Sequence, residues 1–403
     1  MTQSHSQFQT VLGKKGMLFF LVIISAFPPL SMDLYLPALP EMIHVFNTTQ
    51  AMVNFTLSCY FVTYAVGLLI WGPLSEKFGR KPILLVGIAG YMVASMCCSM
   101  AGNIEQLIGA RVLQAFFGSA ITVVSTAIVK DLYDGREREK VMATIMSLVT
   151  IAPMVAPVLG ALILKFASWR IVFVALTLFG AFAGVLTLLY RETLRSRYQG
   201  SIFYSWGRLG VVIKNYRFFI LLVIFSITPM AMMAFLAAGS YIYITGFGLS
   251  EQQFSYIFAF NALCASFGPT IYIKLSRRIK VKNLITGSFI LLSATGIFTL
   301  LVGGLSPFIF ALGAASATLS VIVVRVPGMN LMLDQQDQDT GSAVALIQFF
   351  GMISGSLGMV LVSIYPHSLI TNLGTIQLVV GVVGLVMWLA TRNRSFVTDK
   401  LPK

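Results

Sequence analysis

Three ionisable residues, Asp33, Arg111 and Arg325, stand deep inside otherwise apolar stretches of the chain. A charge at the centre of a bilayer costs about 3 kcal/mol or more, so a chain that keeps one there has a use for it. An acid so placed can carry a proton. An arginine stays charged at every accessible pH and can only modulate such an acid. A carboxyl that faces a guanidinium is held ionised, and one left in apolar surroundings takes up a proton. Asp33 is therefore the candidate proton carrier and Arg111 its modulator, switched by movement of either group or by arrival of a substrate. The competing reading is a static ion pair that locks two helices together.

That chemistry presupposes a membrane, and composition supplies one. Of 403 residues, 57% are hydrophobic and 10% charged, whereas soluble chains carry about 25% charged residues. The chain is thus expected to be an all-α integral membrane protein, and its net charge of +14 reports orientation in the membrane instead of nucleic-acid binding. At 1.5 Å per residue, about 20 residues cross the hydrocarbon. Twelve runs qualify: 17–40, 51–74, 82–101, 105–129, 141–165, 171–190, 217–245, 252–275, 284–304, 307–332, 341–365 and 372–391. With both termini cytoplasmic, only Arg111 and Arg325 are intramembrane and only Lys165 and Arg170 external, which leaves 24 of 28 basic residues on the cytoplasmic side.

On this ruler Asp33 lies ~24 Å from the inner face and Arg111 ~21 Å from that same face, so the two can meet. Arg325 is ~27 Å down a helix that exits to the cytoplasm, and the sequence reading has its head snorkelling to the interface. Lys165 and Arg170 read as helix-end anchors. Cys59, Cys97, Cys98 and Cys264 fall in apolar runs and read as free thiols.

The expected organisation is a cytoplasmic tail (1–15), a six-helix bundle (16–190), a central cytoplasmic loop (191–216), a second six-helix bundle (217–391) and a cytoplasmic tail (392–403). The first helix is expected to be retained, because no cleavage site follows it. Each half carries a basic loop after its second helix, and such repeats commonly frame a central substrate site in secondary transporters. Within the central loop, Trp206, Leu209, Val212, Ile213 and Tyr216 alternate with basic residues, as in an amphipathic helix on the inner leaflet. An ordinary solvated linker is the alternative there.

Helix breakers mark where the backbone bends. Pro28-Pro29, Pro37 and Pro40 break the first helix around Asp33, and Pro153, Pro157 and Gly160 permit a bend and close approach in the fifth. Polar residues rarely face lipid, so Asn54, Ser58, Gln114, Asn261 and Gln348 are expected to look inward. With Tyr35, Phe61, Met154 and Phe235 as aromatic or adaptable surface, they are the candidate substrate contacts.

The segment from Gly72 to Pro82, with Glu76, Gly79, Arg80 and Lys81, resembles the signature loop of the major facilitator superfamily, with Glu76 where that family usually has Asp. Leu107 to Ala115 resembles the fourth-helix motif of drug:proton antiporters, and Ala152 to Gly160 is similar to their fifth-helix motif in variant form. The segment Met32 to Pro40, together with Trp169-Arg170 and Glu192-Thr193-Leu194, looks like the Bcr/CflA-type subgroup.

The resemblance implies a monomeric alternating-access exporter of the bacterial inner membrane. It would exchange cytoplasmic amphipathic compounds, chloramphenicol-like antibiotics among them, for external protons, with no cofactor, metal or nucleic acid. It further implies that Asp33 and Arg111 couple protons and that Gly72, Glu76, Gly79, Arg80 and Lys81 form a cytoplasmic latch. A dedicated exporter of one metabolite or siderophore is the alternative. A remoter one is a membrane-embedded magnesium enzyme, built on Asp131 and Asp134 with Asp334, Asp337 and Asp339. No phosphate-binding loop motif is present, which argues against an ATP-driven pump.

Overall fold

The computed structural model describes residues 12–194, 202–336, 340–365 and 368–399. Asp337, Asp339 and the outermost parts of both tails fall outside that set. In chain order the helices are α1 (Gly13–Ser25), α2 (Phe27–Asp33), α3 (Leu39–Val45), α4 (Gln50–Phe78), α5 (Arg80–Met100), α6 (Ile104–Leu132), α7 (Gly135–Phe166) and α8 (Arg170–Leu189). They continue as α9 (Ile202–Lys214), α10 (Tyr216–Ser226), α11 (Thr228–Ser240), α12 (Glu251–Ser266), α13 (Gly268–Ser276) and α14 (Val281–Val302). The last are α15 (Pro307–Leu333), α16 (Thr340–Val362), α17 (Leu369–Thr391) and the short α18 (Ser395–Thr398). Among the described residues, 12 helical segments are long and apolar enough to cross a membrane.

Three of these segments are broken, each where proline enters the first turn of a new helix. Pro28 and Pro29 open α2, Pro229 opens α11 and Pro269 opens α13. Proline lacks the N–H that the preceding turn would use, so the chain ends one helix and starts the next. The first and seventh segments therefore break at corresponding places in the two halves. A π-helical turn, Tyr241–Gly246, follows α11. Polar caps fix other helix starts: Asn103 accepts the Gln106 N–H at 2.8 Å, and Ser250 and Gln253 form a reciprocal capping box before α12.

The chain divides into two compact units. The first comprises residues 1–38 and 62–205, and the second 39–61 and 206–403. The expected halves keep 39–61 with the first six spans. Its assignment to the second unit follows from bonds made there: Asn54 donates to Ser363 Oγ at 2.7 Å, Ser356 donates to Ser58 O at 3.0 Å, and Tyr241 donates to Leu39 O at 3.5 Å.

In the second unit, Phe218, Phe225, Phe289 and Trp388 anchor an apolar core, with the Trp388 indole donating to Thr286 Oγ1 at 3.0 Å. Helix α9 lays Leu209, Val212 and Ile213 on that core. The described part of the central connection is thus an amphipathic helix with one face docked on protein, as the helix reading expected, and not a solvated linker. Helices α14 and α17 meet closely through glycine: a Cβ on Gly296 would lie 2.5 Å from the Leu378 amide nitrogen. In the first unit, Arg170 at the start of α8 donates to Ala101 O at 3.1 Å and stacks over Trp169.

Candidate functional site

The proton-coupling candidates lie together in the first unit. Helix α2 ends at Asp33, and its last backbone bond runs from Leu34 N to Leu30 O. Carbonyls beyond that bond need other donors. Arg111 supplies one, its Nη1 donating to Ser31 O at 3.0 Å, a position where positive charge also suits the helix end. The same nitrogen donates to Gln114 Oε1 at 2.6 Å, and Nη2 meets Met32 Sδ at 3.3 Å. The guanidinium also lies over the rings of Tyr35 and Phe173, at 5.2 and 5.9 Å from their centroids.

Those contacts close into a ring. Gln114 Nε2 donates to Ser95 Oγ at 2.7 Å, and Ser95 donates to Tyr91 O at 2.8 Å. The Tyr91 hydroxyl shares a 2.5 Å hydrogen bond with Ser31, whose Oγ donates to Phe27 O. Ser31, Tyr91, Ser95, Arg111 and Gln114 are all fully buried, and together they tie α2, α5 and α6. Buried networks of this kind are stable only when their members are satisfied.

Asp33 is not part of the ring. The two residues share a level, as the depth arithmetic required, but the expected Asp33–Arg111 ion pair does not form. The Asp33 carboxyl is buried and makes no hydrogen bond or ion pair among the described residues. The reason is rotation. Ser31 faces Tyr91 and Met32 faces Arg111, and each further residue turns about 100° around the axis, carrying Asp33 past the guanidinium.

Backbone proximity on the other side fixes where Asp33 sits. Gly160 in α7 packs against the Leu34 carbonyl so closely that a Cβ there would strike it. Pro157 is buried three residues earlier in the same helix, and Pro153 and Met154 are half-buried. Tyr35 is fully buried against Phe173.

The loop joining α4 to α5 is held by two acids outside it. Gly79 adopts φ 108° and ψ 158°, backbone that only glycine takes readily. That turn aims the first N–H groups of α5 at Glu192, which accepts from Arg80 N at 3.1 Å and Lys81 N at 3.0 Å, and also from Thr193 N and Leu194 N. A carboxylate at a helix start is favoured by the orphan N–H groups and the dipole. The Arg80 side chain is buried, donating from Nε to Asp131 Oδ2 at 2.9 Å and from Nη1 to Ser75 Oγ at 2.7 Å. Lys81 donates to Leu188 O at 2.9 Å. Gly72 lies half-buried in α4.

Glu76 is exposed, with no ion pair or hydrogen bond among the described residues. The acid that pairs with the basic cluster is Asp131, 51 residues away in sequence, which the motif alone does not reveal. Its engagement with Arg80 also removes Asp131 from the magnesium reading. Beside this cluster, burial pushes the Tyr190 phenol above its ordinary range, and its hydroxyl pairs with Thr193 at 2.6 Å.

The candidate substrate contacts fall into two groups. Gln114 is fully buried with both ends of its amide used by the ring, and Phe235 is buried in stacked contact with Phe258. Asn54 and Ser58 are buried in the bonds that tie 39–61 to its unit, the Ser58 hydroxyl donating to Asn54 O at 3.2 Å. Asn261 is buried, its carbonyl oxygen without a partner among the described residues. Phe61 and Gln348, by contrast, line a cavity of about 200 Å³ inside the second unit, together with Arg325. Arg325 reaches across to α16, its Nη2 3.4 Å from Gln348 Oε1.

Comparison with known proteins agrees with this architecture. Residues 19–359 match the Major Facilitator Superfamily. The chain is 31% identical over 387 residues to the uncharacterized MFS-type transporter YdgK of Bacillus subtilis, covering 91% of this chain and 92% of the relative. It is 28% identical to the bicyclomycin resistance protein homolog of Haemophilus influenzae, over 83% and 86% of the two chains. With the chloramphenicol resistance protein of Pseudomonas aeruginosa it shares 31% identity, over 84% and 82%.

Among solved structures, a bacterial homolog of the human lysosomal transporter Spinster superposes with a TM-score of 0.77 at 14% identity, covering 96% of this chain and 98% of that one. A D-xylose-proton symporter gives 0.71 at 12% identity, over 92% and 96%. These two establish the fold alone. The chain is a transporter, not an enzyme, and it belongs to the Major Facilitator Superfamily.

Proposed function

We propose that this transporter is a proton-coupled antiporter that exports amphipathic small molecules from the bacterial cytoplasm by alternating access. The observation that carries the proposal is Asp33. Its carboxyl is buried and uncommitted at the broken end of α2, next to a ring that engages the Arg111 fork and both ends of the Gln114 amide. An uncommitted buried carboxyl is suited to take up and release a proton, and an occupied arginine holds the backbone on which that carboxyl is mounted. Arg111 thus acts on Asp33 by position and charge, not as its ion-pair partner.

In this reading the termini and the α4–α5 loop face the cytoplasm, as the distribution of basic residues favours. Arg80, Gly79 and Lys81 form the latch with Asp131 and Glu192 as the acids that hold it, while exposed Glu76 is available to a different conformational state. The substrate contacts best supported are Phe61 and Gln348 in the second unit and Met154 in the first, none of them fully enclosed; Tyr35 and Gln114 serve packing within the first unit and Phe235 within the second.

Relatives named for chloramphenicol and bicyclomycin resistance make those two compounds the first to try. In cells stripped of their own efflux pumps, expression of the chain is expected to lower chloramphenicol accumulation, and a protonophore is expected to restore it. Asp33→Asn, matched for membrane expression, is expected to accumulate as much as the empty-vector control. Export that persists in Asp33→Asn, or that ignores the protonophore, would remove Asp33 or the proton from the mechanism.

A further inference from the structure

The two intramembrane arginines are used in opposite ways. Arg111 is fully buried, with bonds of 3.0 and 2.6 Å and a thioether contact, as expected of a cation whose task is to hold helices. Arg325 is exposed although it lies well within a spanning helix, and its one hydrogen bond among the described residues is the 3.4 Å contact with Gln348. Its exposure is into the cavity of about 200 Å³. The remaining walls there are largely apolar, with Phe61, Met233, Met329 and Met352 prominent and no acid among the lining residues.

We infer that Arg325 and Gln348 form an anion-accepting subsite inside the second unit, which takes the carboxylate end of an amphipathic ligand while the methionines and Phe61 hold its apolar body. The inference deepens the export reading by naming a substrate class, and it rests on that reading for its biological sense. A guanidinium with free N–H groups binds carboxylate through two parallel bonds, the geometry in which charge-assisted hydrogen bonds are strongest. The Gln348 oxygen, already turned toward Arg325, orients the fork.

Pockets that take a whole drug-sized ligand measure about 300–1,000 Å³, so a space of about 200 Å³ accommodates one end of a ligand, such as a single ring with a short acidic chain. Methionine walls adapt to different ring shapes, while an unpaired positive charge repels amines. The subsite is therefore tolerant of shape and selective for charge.

The test uses full-length protein in lipid nanodiscs, near neutral pH and without any gradient, titrated calorimetrically with phenylbutyrate and with phenylbutylamine, empty nanodiscs being subtracted. The wild type is expected to bind the acid about tenfold or more tightly than the amine. Arg325→Gln is expected to bring that ratio close to one. Gln348→Leu is expected to weaken the acid several-fold and leave the amine unchanged.

A wild-type ratio at or below one overturns the subsite, whether or not Arg325→Gln folds, and so does a wild-type ratio retained in a folded Arg325→Gln. Asp33→Asn should lose export yet keep the charge preference. In the wild type, absence of export with the preference present would sink the antiport reading alone, whereas export without the preference would sink the subsite alone.

Discussion

Arg111 holds a backbone carbonyl, and that choice of partner sets what a substitution does. Lysine keeps the charge but loses the planar fork, so it cannot serve Ser31 O and Gln114 Oε1 from one corner while a second nitrogen meets Met32 Sδ and a flat face lies over Tyr35. Arg111→Lys is therefore expected to insert and express yet export about tenfold or more slowly, measured as initial efflux rate per unit of protein. Rates equal to the wild type would show that only charge matters there. That Asp33 and Arg111 share a depth was legible in the sequence, because helix rise converts residue number into height. That they do not pair was not legible, because height says nothing of rotation about a helix whose phase is reset by Pro28 and Pro29. The partner of Arg325 was hidden for a related reason, since only packing brings Gln348 of a neighbouring helix to it.

At the scale of elements, glycine decides two contacts. Gly79 occupies a region of backbone space that costs other residues on the order of 1–3 kcal/mol, and a Cβ would also approach Glu192 Oε2 to 2.6 Å. Gly79→Ala is expected to lower thermal stability in detergent, and Glu192→Ala, which strips the carboxylate from the start of α5, to cost about 1–2 kcal/mol. If the loop were only an orientation signal, both variants would melt with the wild type. Gly160→Val presses on the Leu34 carbonyl, so it is expected to displace the Asp33 turn and abolish export while the protein still reaches the membrane. The sequence made the breaks at Pro28 and Pro29 plain. It did not distinguish the breaks at Pro229 and Pro269, because each lies in an apolar run whose hydropathy continues unbroken across it.

For the whole molecule, twelve spans followed from hydropathy and length, since a bilayer requires both and the loops are short and polar. The division into compact units was less accessible. Residues 39–61 join the second unit through bonds such as Asn54 to Ser363, 309 residues apart, and no local pattern encodes a pairing of that range. Orientation is a prediction at this scale. In a cysteine-free background, Glu76→Cys is expected to react with a membrane-impermeant maleimide in inverted vesicles and not in intact cells. Labelling from the outside would reverse the topology and with it the assignment of the latch to the cytoplasm.

The ring through Arg111, Ser31, Tyr91, Ser95 and Gln114 has a consequence best put genetically. In a chain of independent contacts, each lesion adds its own cost. A closed circuit behaves otherwise, since opening it at any link already releases the neighbours that the others were holding. Alleles at Ser95 and Gln114 would then be epistatic, the double mutant little worse than the poorer single. A population exploring this region would meet a threshold at its first step and little further penalty after it.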